Sequence, residues 1–177
     1  MQIIIPMSGF GERFRRAGYN IPKPLIEVEG KPIIAHVINL FSKNDNFIFV
    51  VNEDHLNEPK FKLKEILNYF CPNGRVISIP KHKLGPVYAI NQIKEFISLE
   101  EKTIVNYCDF SCYWNYDKFL NFLNKYNPDG VIPSYKGFHP HSLGKTNYAY
   151  LQEENYFAYD IREKKPFTRN KLNEFAS

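Results

Sequence analysis

A loop with two glycines lies directly after the first apolar run of the chain. Residues 2–6 are typical of a short buried strand, and Met7-Ser8-Gly9-Phe10-Gly11-Glu12-Arg13 follows them. Glycine lets the backbone turn sharply and approach a ligand with bare N–H groups, which suits phosphate oxygens. Arg13 would add a planar cationic fork for the same oxygens. The loop indicates a phosphate site, although a tight turn with a solvated arginine would explain it equally well.

A lysine between two prolines is the second candidate. Pro22-Lys23-Pro24-Leu25 is followed closely by Gly30-Lys31-Pro32. The prolines stiffen the backbone around Lys23 and hold it extended, so that its ammonium can serve as a placed charge beside a phosphate. Taken alone, an ordinary proline-rich loop is the simpler interpretation.

The elements that must position these loops alternate between strand and helix. The order predicts an α/β fold with a mainly parallel central sheet and helices on both faces. Ligands of such sheets bind beyond the carboxyl ends of the strands. Predicted strands cover 2–6, 47–51, 75–80, 103–107 and 131–133, with two strand-like pieces at 148–151 and 156–159, and predicted helices centre on 34–41, 63–70, 89–97 and 119–126.

Composition restricts the function classes. The chain has 177 residues, 44% of them hydrophobic and 24% charged, which predicts one compact domain. A net charge of +4 favours a small anionic ligand over nucleic acid. Neither a signal peptide nor a membrane-spanning run is recognised, so we expect a cytoplasmic protein without a membrane partner. Cys71, Cys108 and Cys112 lack zinc spacing and are interpreted as reduced thiols.

The two loops together resemble the signature of the sugar-phosphate nucleotidyltransferase family. The resemblance extends from Gly9-x-Gly11-x-Arg13 to Gly30-Lys31-Pro32. It implies a Rossmann-like nucleotide-diphospho-sugar transferase fold and an NMP transfer that releases pyrophosphate. By the same resemblance, Arg13 and Lys23 are catalytic residues at the phosphates of a nucleoside triphosphate. The nucleotide-binding loop would then consist of Met7, Ser8, Gly9, Phe10 and Gly11.

Two later segments extend the resemblance. Lys83 to Ile90 is similar to the family's Gly-Thr-x-x-Ala helix start, which implies that Gly85 and Pro86 lie against the base and ribose; Pro86 replaces the usual threonine. Asp109 corresponds to the family's metal-binding aspartate, with Cys108 where glycine is usual. A carboxylate at a strand's carboxyl end suits Mg²⁺, the expected cofactor, whereas a turn cap is the alternative interpretation.

The acceptor is assigned to the C-terminal part of the chain. Ile161 to Pro166 resembles the family's Glu-Lys-Pro segment, which implies Glu163 at the acceptor and Lys164 as a catalytic residue at its phosphate, with Lys165 as a competitor. His139, in His139-Pro140-His141, is interpreted as a loop residue, and a place in the wall of the acceptor pocket is the alternative interpretation. The remaining histidines, His36, His55 and His82, are interpreted as packed or solvated.

The chain as a whole most resembles capsule-cluster cytidylyltransferases of this family. That resemblance implies CTP and a small phosphorylated acceptor, with L-glutamine phosphate as the candidate, in capsular polysaccharide modification. A sugar-1-phosphate nucleotidyltransferase and a nucleotide-binding protein without catalysis remain alternatives. A glycosyltransferase is disfavoured, since Asp109-Phe110-Ser111 lacks the second acid of an Asp-x-Asp pair.

Residues 1–177 are expected to form a single nucleotidyltransferase domain. Its nucleotide-binding half would cover 1–110 and its acceptor-binding half 111–177. Family members usually continue further, so we expect the acceptor half to be C-terminally short and to lack a strand that leads to a second acidic metal ligand. The base, the acceptor and the oligomeric state are left open.

Overall fold

Two compact units make up the computed structural model, Met1–Phe119 and Leu120–Ser177. The structure describes residues 1–139, 144, 146 and 148–177. Each unit is described by itself below.

The first unit is built around a parallel sheet of four strands. These are β1 (Gln2–Met7), β4 (Asn46–Asn52), β5 (Arg75–Ile79) and β6 (Thr103–Val105), in the order β5-β4-β1-β6. The intervening β2 (Glu27–Val28) and β3 (Lys31–Pro32) form a separate antiparallel hairpin. The predicted parallel sheet is confirmed. Because β4 and β6 flank β1 on opposite sides, the carboxyl end of β1 lies at a topological switch point.

Helices cover both faces of this sheet, as the sequence predicts. One face of β1 carries Ile3 and Ile5, which belong to a buried cluster with residues of α2 (Ile33–Ile38) and α4 (Leu63–Phe70). The opposite face carries Ile4, which belongs to a second cluster with Ala89 of α5 (Gly85–Gln92). Alternate side chains of one strand therefore anchor two helical layers.

The remaining helices are shorter or lie later in the chain. They are α1 (Glu12–Arg16), α3 (Glu53–Asn57) and α6 (Tyr116–Tyr126), with single 3-10 turns at Lys23–Leu25, Pro59–Phe61, Lys94–Phe96 and Lys171–Asn173. Among the described residues, no helix has both the length and the apolar composition that crossing a membrane requires.

Asp45 connects three parts of the first unit at the amino ends of β1 and β4. Its carboxylate lies 3.2 Å from the amino terminus of Met1 and accepts hydrogen bonds from Tyr116 Oη, at 2.8 Å, and from the Ser42 N–H, at 3.0 Å. Burial, and then the hydrogen bond to Asp45, raise the pKa of Tyr116 above its ordinary value, so its hydroxyl stays a donor. The start of β1 is thereby held in place.

The second unit contains an antiparallel sheet of three strands. Its order is β8 (Phe157–Glu163), β7 (Ala149–Glu154) and β9 (Phe175–Ala176). Asn155 and Tyr156 connect β7 to β8 with φ of 52° and 70°, the positive values that a two-residue type I′ hairpin turn requires. The two strand-like pieces predicted in this region are confirmed, and both strands extend further than predicted.

The strand predicted over Val131–Pro133 is wrong. Residues 131–134 have no regular secondary structure, and the side chains of Val131 and Ile132 are exposed. Pro133 has no N–H to donate to a sheet, which shortens any ladder there. Only Tyr135, further along, forms an isolated antiparallel bridge, with Ala176.

Glu174 stabilises the second unit through a buried carboxylate. Burial raises the pKa of Glu174, but hydrogen bonds from Thr168 Oγ1 at 2.6 Å and from the N–H groups of Phe167 and Thr168, both at 2.7 Å, outweigh it. The net pKa lies below the ordinary value. The ionised form is therefore the one that the fold stabilises.

We predict that Glu174→Gln lowers the free energy of unfolding by about 1–2 kcal/mol at pH 7, because charged hydrogen bonds are replaced by weaker ones. The folded-state pKa is lowered, so this contribution is fully present above the unfolded pKa of about 4.3 and is lost as the pH falls through the folded pKa. Urea unfolding of both proteins between neutral and acid pH measures the effect.

The difference between wild type and Glu174→Gln should shrink toward acid pH. The control is Glu154→Gln, since Glu154 is exposed on β7. A difference that stays constant over the whole pH range would contradict the assignment.

Candidate functional site

A cavity of about 550 Å³ opens in the first unit, beside the carboxyl end of β1. It is lined by every residue that the sequence analysis assigned to nucleotide binding, including the two cationic side chains assigned to the phosphates. The predicted residues that line it are Met7, Ser8, Gly9, Phe10, Gly11, Arg13, Lys23, Gly85 and Pro86. Further lining residues, which the sequence analysis did not assign, are Pro6, Glu12, Phe14, Pro24, His82, Lys83, Tyr107 and Cys108.

The glycine loop presents backbone N–H groups to this cavity. Gly11 has a φ of +61°, and its carbonyl accepts hydrogen bonds from the N–H groups of Phe14 and Arg15 at 2.9 and 3.0 Å. Within the described part of the chain, the N–H groups of Gly9, Phe10 and Gly11 donate no hydrogen bond. They remain available to the oxygens of an anion.

Asn52 fixes the start of the loop from the neighbouring strand. It is the last residue of β4 and is buried, and its Nδ2 donates to the Ser8 carbonyl at 3.2 Å. Its Oδ1 accepts from the Asp54 N–H at 2.9 Å, which sets the orientation of the amide. The loop is therefore held by the carboxyl ends of two adjacent strands.

The segment between β5 and α5 forms another side of the cavity. His82 Nε2 lies 3.0 Å from Ser8 Oγ, and its Nδ1 accepts from the Leu84 N–H at 3.3 Å. The His82 ring packs on Tyr88, with 4.7 Å between the ring centroids. The sequence interpretation of His82 as a packed or solvated residue missed this position. Its position could have been predicted, because His82 follows the carboxyl end of a parallel strand, as the glycine loop does, and ligands bind beyond those ends.

Lys23 and Asp109 form an ion pair at the cavity wall. Lys23 begins a 3-10 turn between the buried Pro22 and Pro24, and its Nζ lies 5.0 Å from the centroid of the Phe14 ring. The side chains of Lys23 and Asp109 are 27% and 34% exposed, so solvent and an incoming anion can both reach them. The pair brings Asp109 next to the cavity, although Asp109 does not line it.

The fit of Mg²⁺ depends on this single carboxylate. In the described part of the chain, no group of three or more His, Cys, Asp or Glu side chains could hold a metal ion. Magnesium commonly takes one or two carboxylates and completes its coordination with substrate phosphates and water. Asp109, beside a cavity with phosphate donors, fits that pattern.

Glu12, Lys83 and Cys108 also line the cavity and together bring no net charge to it. Glu12 Oε1 lies 2.7 Å from Lys83 Nζ, and this hydrogen bond, with the lysine charge, lowers the pKa of Glu12. Burial, and then the charge of Asp109, raise the pKa of Cys108 to about 12, so its thiol is neutral. The three cysteines are free in the structure, as predicted.

The predicted acceptor residues lie in the second unit. Lys164 Nζ is 3.0 Å from Glu163 Oε1 at the end of β8, and the Lys164 N–H donates to the Tyr148 carbonyl at 3.1 Å. His139 packs against Tyr135 and Tyr148, with centroid distances of 5.4 and 5.7 Å. Lys165 is exposed. Pro140 and His141, which belong to the His139 prediction, lie outside the described residues.

Known proteins resemble this chain in sequence and in fold. A bifunctional protein GlmU of Methanococcus vannielii is 27% identical over 139 residues, 75% of this chain and 32% of the relative. A 2-C-methyl-D-erythritol 4-phosphate cytidylyltransferase of Halalkalibacterium halodurans is 42% identical over 59 residues, 32% of this chain and 25% of the relative. The chain thus spans less than a third of the length of these two relatives.

Solved structures show the same fold. The nucleoside-diphosphate-sugar pyrophosphorylase from Vibrio cholerae RC9 superposes with a TM-score of 0.66 at 18% identity, covering 98% of this chain and 71% of that chain. The inositol-1-phosphate CTP transferase from T. maritima gives 0.65 at 17% identity, with coverages of 99% and 69%. The predicted nucleotide-diphospho-sugar transferase fold is confirmed.

The family model of the MobA-like NTP transferase domain matches residues 3–169, which include the strands of the parallel sheet and all residues that line the cavity. The chain therefore belongs to the MobA-like NTP transferase domain family.

Proposed function

We propose that this chain is a nucleotidyltransferase that transfers CMP from CTP to a small phosphorylated acceptor and releases pyrophosphate. One observation carries the proposal. At the carboxyl end of β1, a single cavity combines the unoccupied N–H groups of Gly9, Phe10 and Gly11 with the charges of Arg13 and Lys23. Neutral donors and cations in that combination suit a triphosphate, and membership of the NTP transferase family supports the assignment.

The reaction is an in-line displacement at the α-phosphorus. A phosphate oxygen of the acceptor forms a new P–O bond to it while the bond between the α-phosphorus and the bridging oxygen breaks, and pyrophosphate leaves. Positioning and charge stabilisation supply most of the rate in such transfers. The loop N–H groups and Arg13 would orient the triphosphate, and Lys23 would stabilise negative charge at the reacting phosphates.

Asp109 is the residue that would hold Mg²⁺. The ion, when bound, would supply positive charge at the phosphate oxygens. Without it, the carboxylate keeps Lys23 at the cavity wall through their ion pair. Both side chains are partly exposed, so the pair contributes about 0–1 kcal/mol to stability and its loss should not unfold the chain.

The base and the acceptor complete the proposal. CTP is favoured by the resemblance to capsule-cluster cytidylyltransferases and by the two similar proteins whose names include a cytidylyl or CTP transfer. For the acceptor, L-glutamine phosphate or a related small phosphate, we assign Glu163, Lys164 and His139. A sugar 1-phosphate is the second candidate, since a nucleoside-diphosphate-sugar pyrophosphorylase shares the fold.

We predict pyrophosphate release from CTP in the presence of Mg²⁺ and one member of a panel of phosphorylated acceptors that includes L-glutamine phosphate and sugar 1-phosphates. Other triphosphates should react more slowly with the same acceptor. A coupled pyrophosphate assay measures both. Release with a sugar 1-phosphate alone would select the second candidate. Nucleotide binding without release in any combination would favour a binding protein instead.

We predict that Lys23→Ala and Asp109→Asn each reduce turnover at least about tenfold, because each removes one charge at the reacting phosphates. Circular dichroism and thermal unfolding should stay close to wild type. Matched controls are Lys64→Ala and Asp129→Asn, whose side chains are exposed and are not among the residues that line the cavity. Near-normal turnover in either site variant would remove that residue from the proposed chemistry.

A further inference from the structure

The contact between Ser8 and His82 is a feature of the cavity that phosphate binding does not require. The two residues are separated by 74 positions in the chain, yet their side chains meet at 3.0 Å and both residues line the cavity. Ser8 is only 3% exposed, so its hydroxyl depends on the partners that the protein and a ligand give it.

The surroundings of His82 determine which nitrogen carries its proton. The Leu84 N–H donates to Nδ1, and a nitrogen that accepts a hydrogen bond in a neutral imidazole has no hydrogen of its own. The proton is therefore on Nε2, which faces Ser8. This hydrogen-bond pattern makes the ring the donor and Ser8 Oγ the acceptor.

The Ser8 hydroxyl is consequently left with a proton to donate. No acceptor for that proton is present among residues 1–139, 144, 146 and 148–177. Since the residue lines the cavity, a ligand in the cavity can supply the acceptor.

The wall that contains His82 suits an uncharged part of the ligand. Lys83, the lysine that lines this side of the cavity, is compensated, because its Nζ lies 2.7 Å from Glu12 Oε1. The His82 ring, whose Nδ1 accepts a hydrogen bond from the Leu84 N–H, packs on Tyr88 and adds a flat ring surface. The uncompensated phosphate donors belong instead to the glycine loop, so the base is the ligand part that matches this wall.

We propose that the Ser8 hydroxyl, held as a donor by the positioning residue His82, donates a hydrogen bond to N3 of a bound cytosine. The proposal rests on the nucleotide function proposed above and deepens it. N3 of cytosine is an acceptor, whereas the same position in uracil carries a hydrogen. Cytosine N3 would accept the remaining proton of the Ser8 hydroxyl, whereas a uracil N3–H bonded to the second lone pair of Oγ would leave that buried proton without an acceptor. This difference distinguishes the two pyrimidines at this atom.

Direct binding by titration calorimetry tests the proposal, with CTP, UTP and 3-deaza-CTP, in which a C–H replaces N3. Wild type should bind 3-deaza-CTP about tenfold more weakly than CTP, as expected for one hydrogen bond. Ser8→Ala should weaken CTP binding about tenfold, change UTP binding less than about twofold, and bind CTP and 3-deaza-CTP equally. Ser78→Ala, at an exposed position of β5, is the matched control.

Two His82 variants separate positioning from packing. His82→Phe keeps an aromatic ring against Tyr88 but has no Nε2–H, and it should lose the preference for CTP over 3-deaza-CTP. His82→Gln places an amide N–H₂ near the same point and should restore part of that preference. A purely structural role would affect CTP, UTP and 3-deaza-CTP to the same extent.

Three results would overturn the inference: equal loss for CTP and UTP in Ser8→Ala, loss confined to UTP, or equal affinity of wild type for CTP and 3-deaza-CTP. The last comparison uses no variant, so misfolding cannot obscure it. Selective CTP binding without pyrophosphate release would contradict the catalytic proposal alone. Failure of the folded wild type to bind any triphosphate would reject both.

Discussion

The complete burial of β1 is the constraint on which the site depends. All six residues from Gln2 to Met7 are buried, and the strand is paired in parallel with β4 over its whole length and with β6 over residues 2–4. A backbone satisfied in this way cannot shift its register without exposing apolar side chains on two faces at once. The chain must leave the sheet at the same point, and the glycine loop begins there. A rigid strand thus presents the N–H groups of a loop that has little secondary structure of its own.

The ion pairs at the cavity are weak enough for a charged ligand to compete with them. Lys23 is paired with Asp109 and Glu12 with Lys83, and all four side chains are at least one-quarter exposed. Ion pairs of that kind contribute little to stability, so an anionic ligand can replace one partner at small cost. The pairing keeps the Lys23 ammonium near Phe14 and the cavity, where its long side chain would otherwise be mobile.

The sequence predicted what depends on short-range pattern. Continuous apolar runs identified β1 and β4, and the glycine and proline spacing identified the loop around Gly11 and the position of Lys23, which the cavity brings together. The strand predicted at 131–133 was wrong because a short apolar run does not by itself define a strand. It becomes one only where a neighbouring strand can pair with its backbone. The Ser8–His82 contact was not predictable in this way, because no local pattern reports which side chains meet across 74 residues. Glu174 was missed although its donors, Phe167 and Thr168, are close in sequence, because no regular pattern predicts the turn that brings their N–H groups to its carboxylate.

The residues proposed for the phosphates and those proposed for the base differ in how far the sequence alone can identify them. The proposed phosphate recognition uses backbone N–H groups, so it would place little demand on the side chains at positions 10 and 12 as long as Gly11 can adopt its positive φ. The proposed base recognition uses the side chain of Ser8, which is positioned by His82 from a separate segment. Pro86 has no hydroxyl where the resembled family usually has threonine, whereas Ser8 brings a hydroxyl to the same cavity from the other segment. The motif therefore identified the residues proposed for the phosphates, whereas the residue proposed for the base follows from a tertiary contact that only the folded chain reveals.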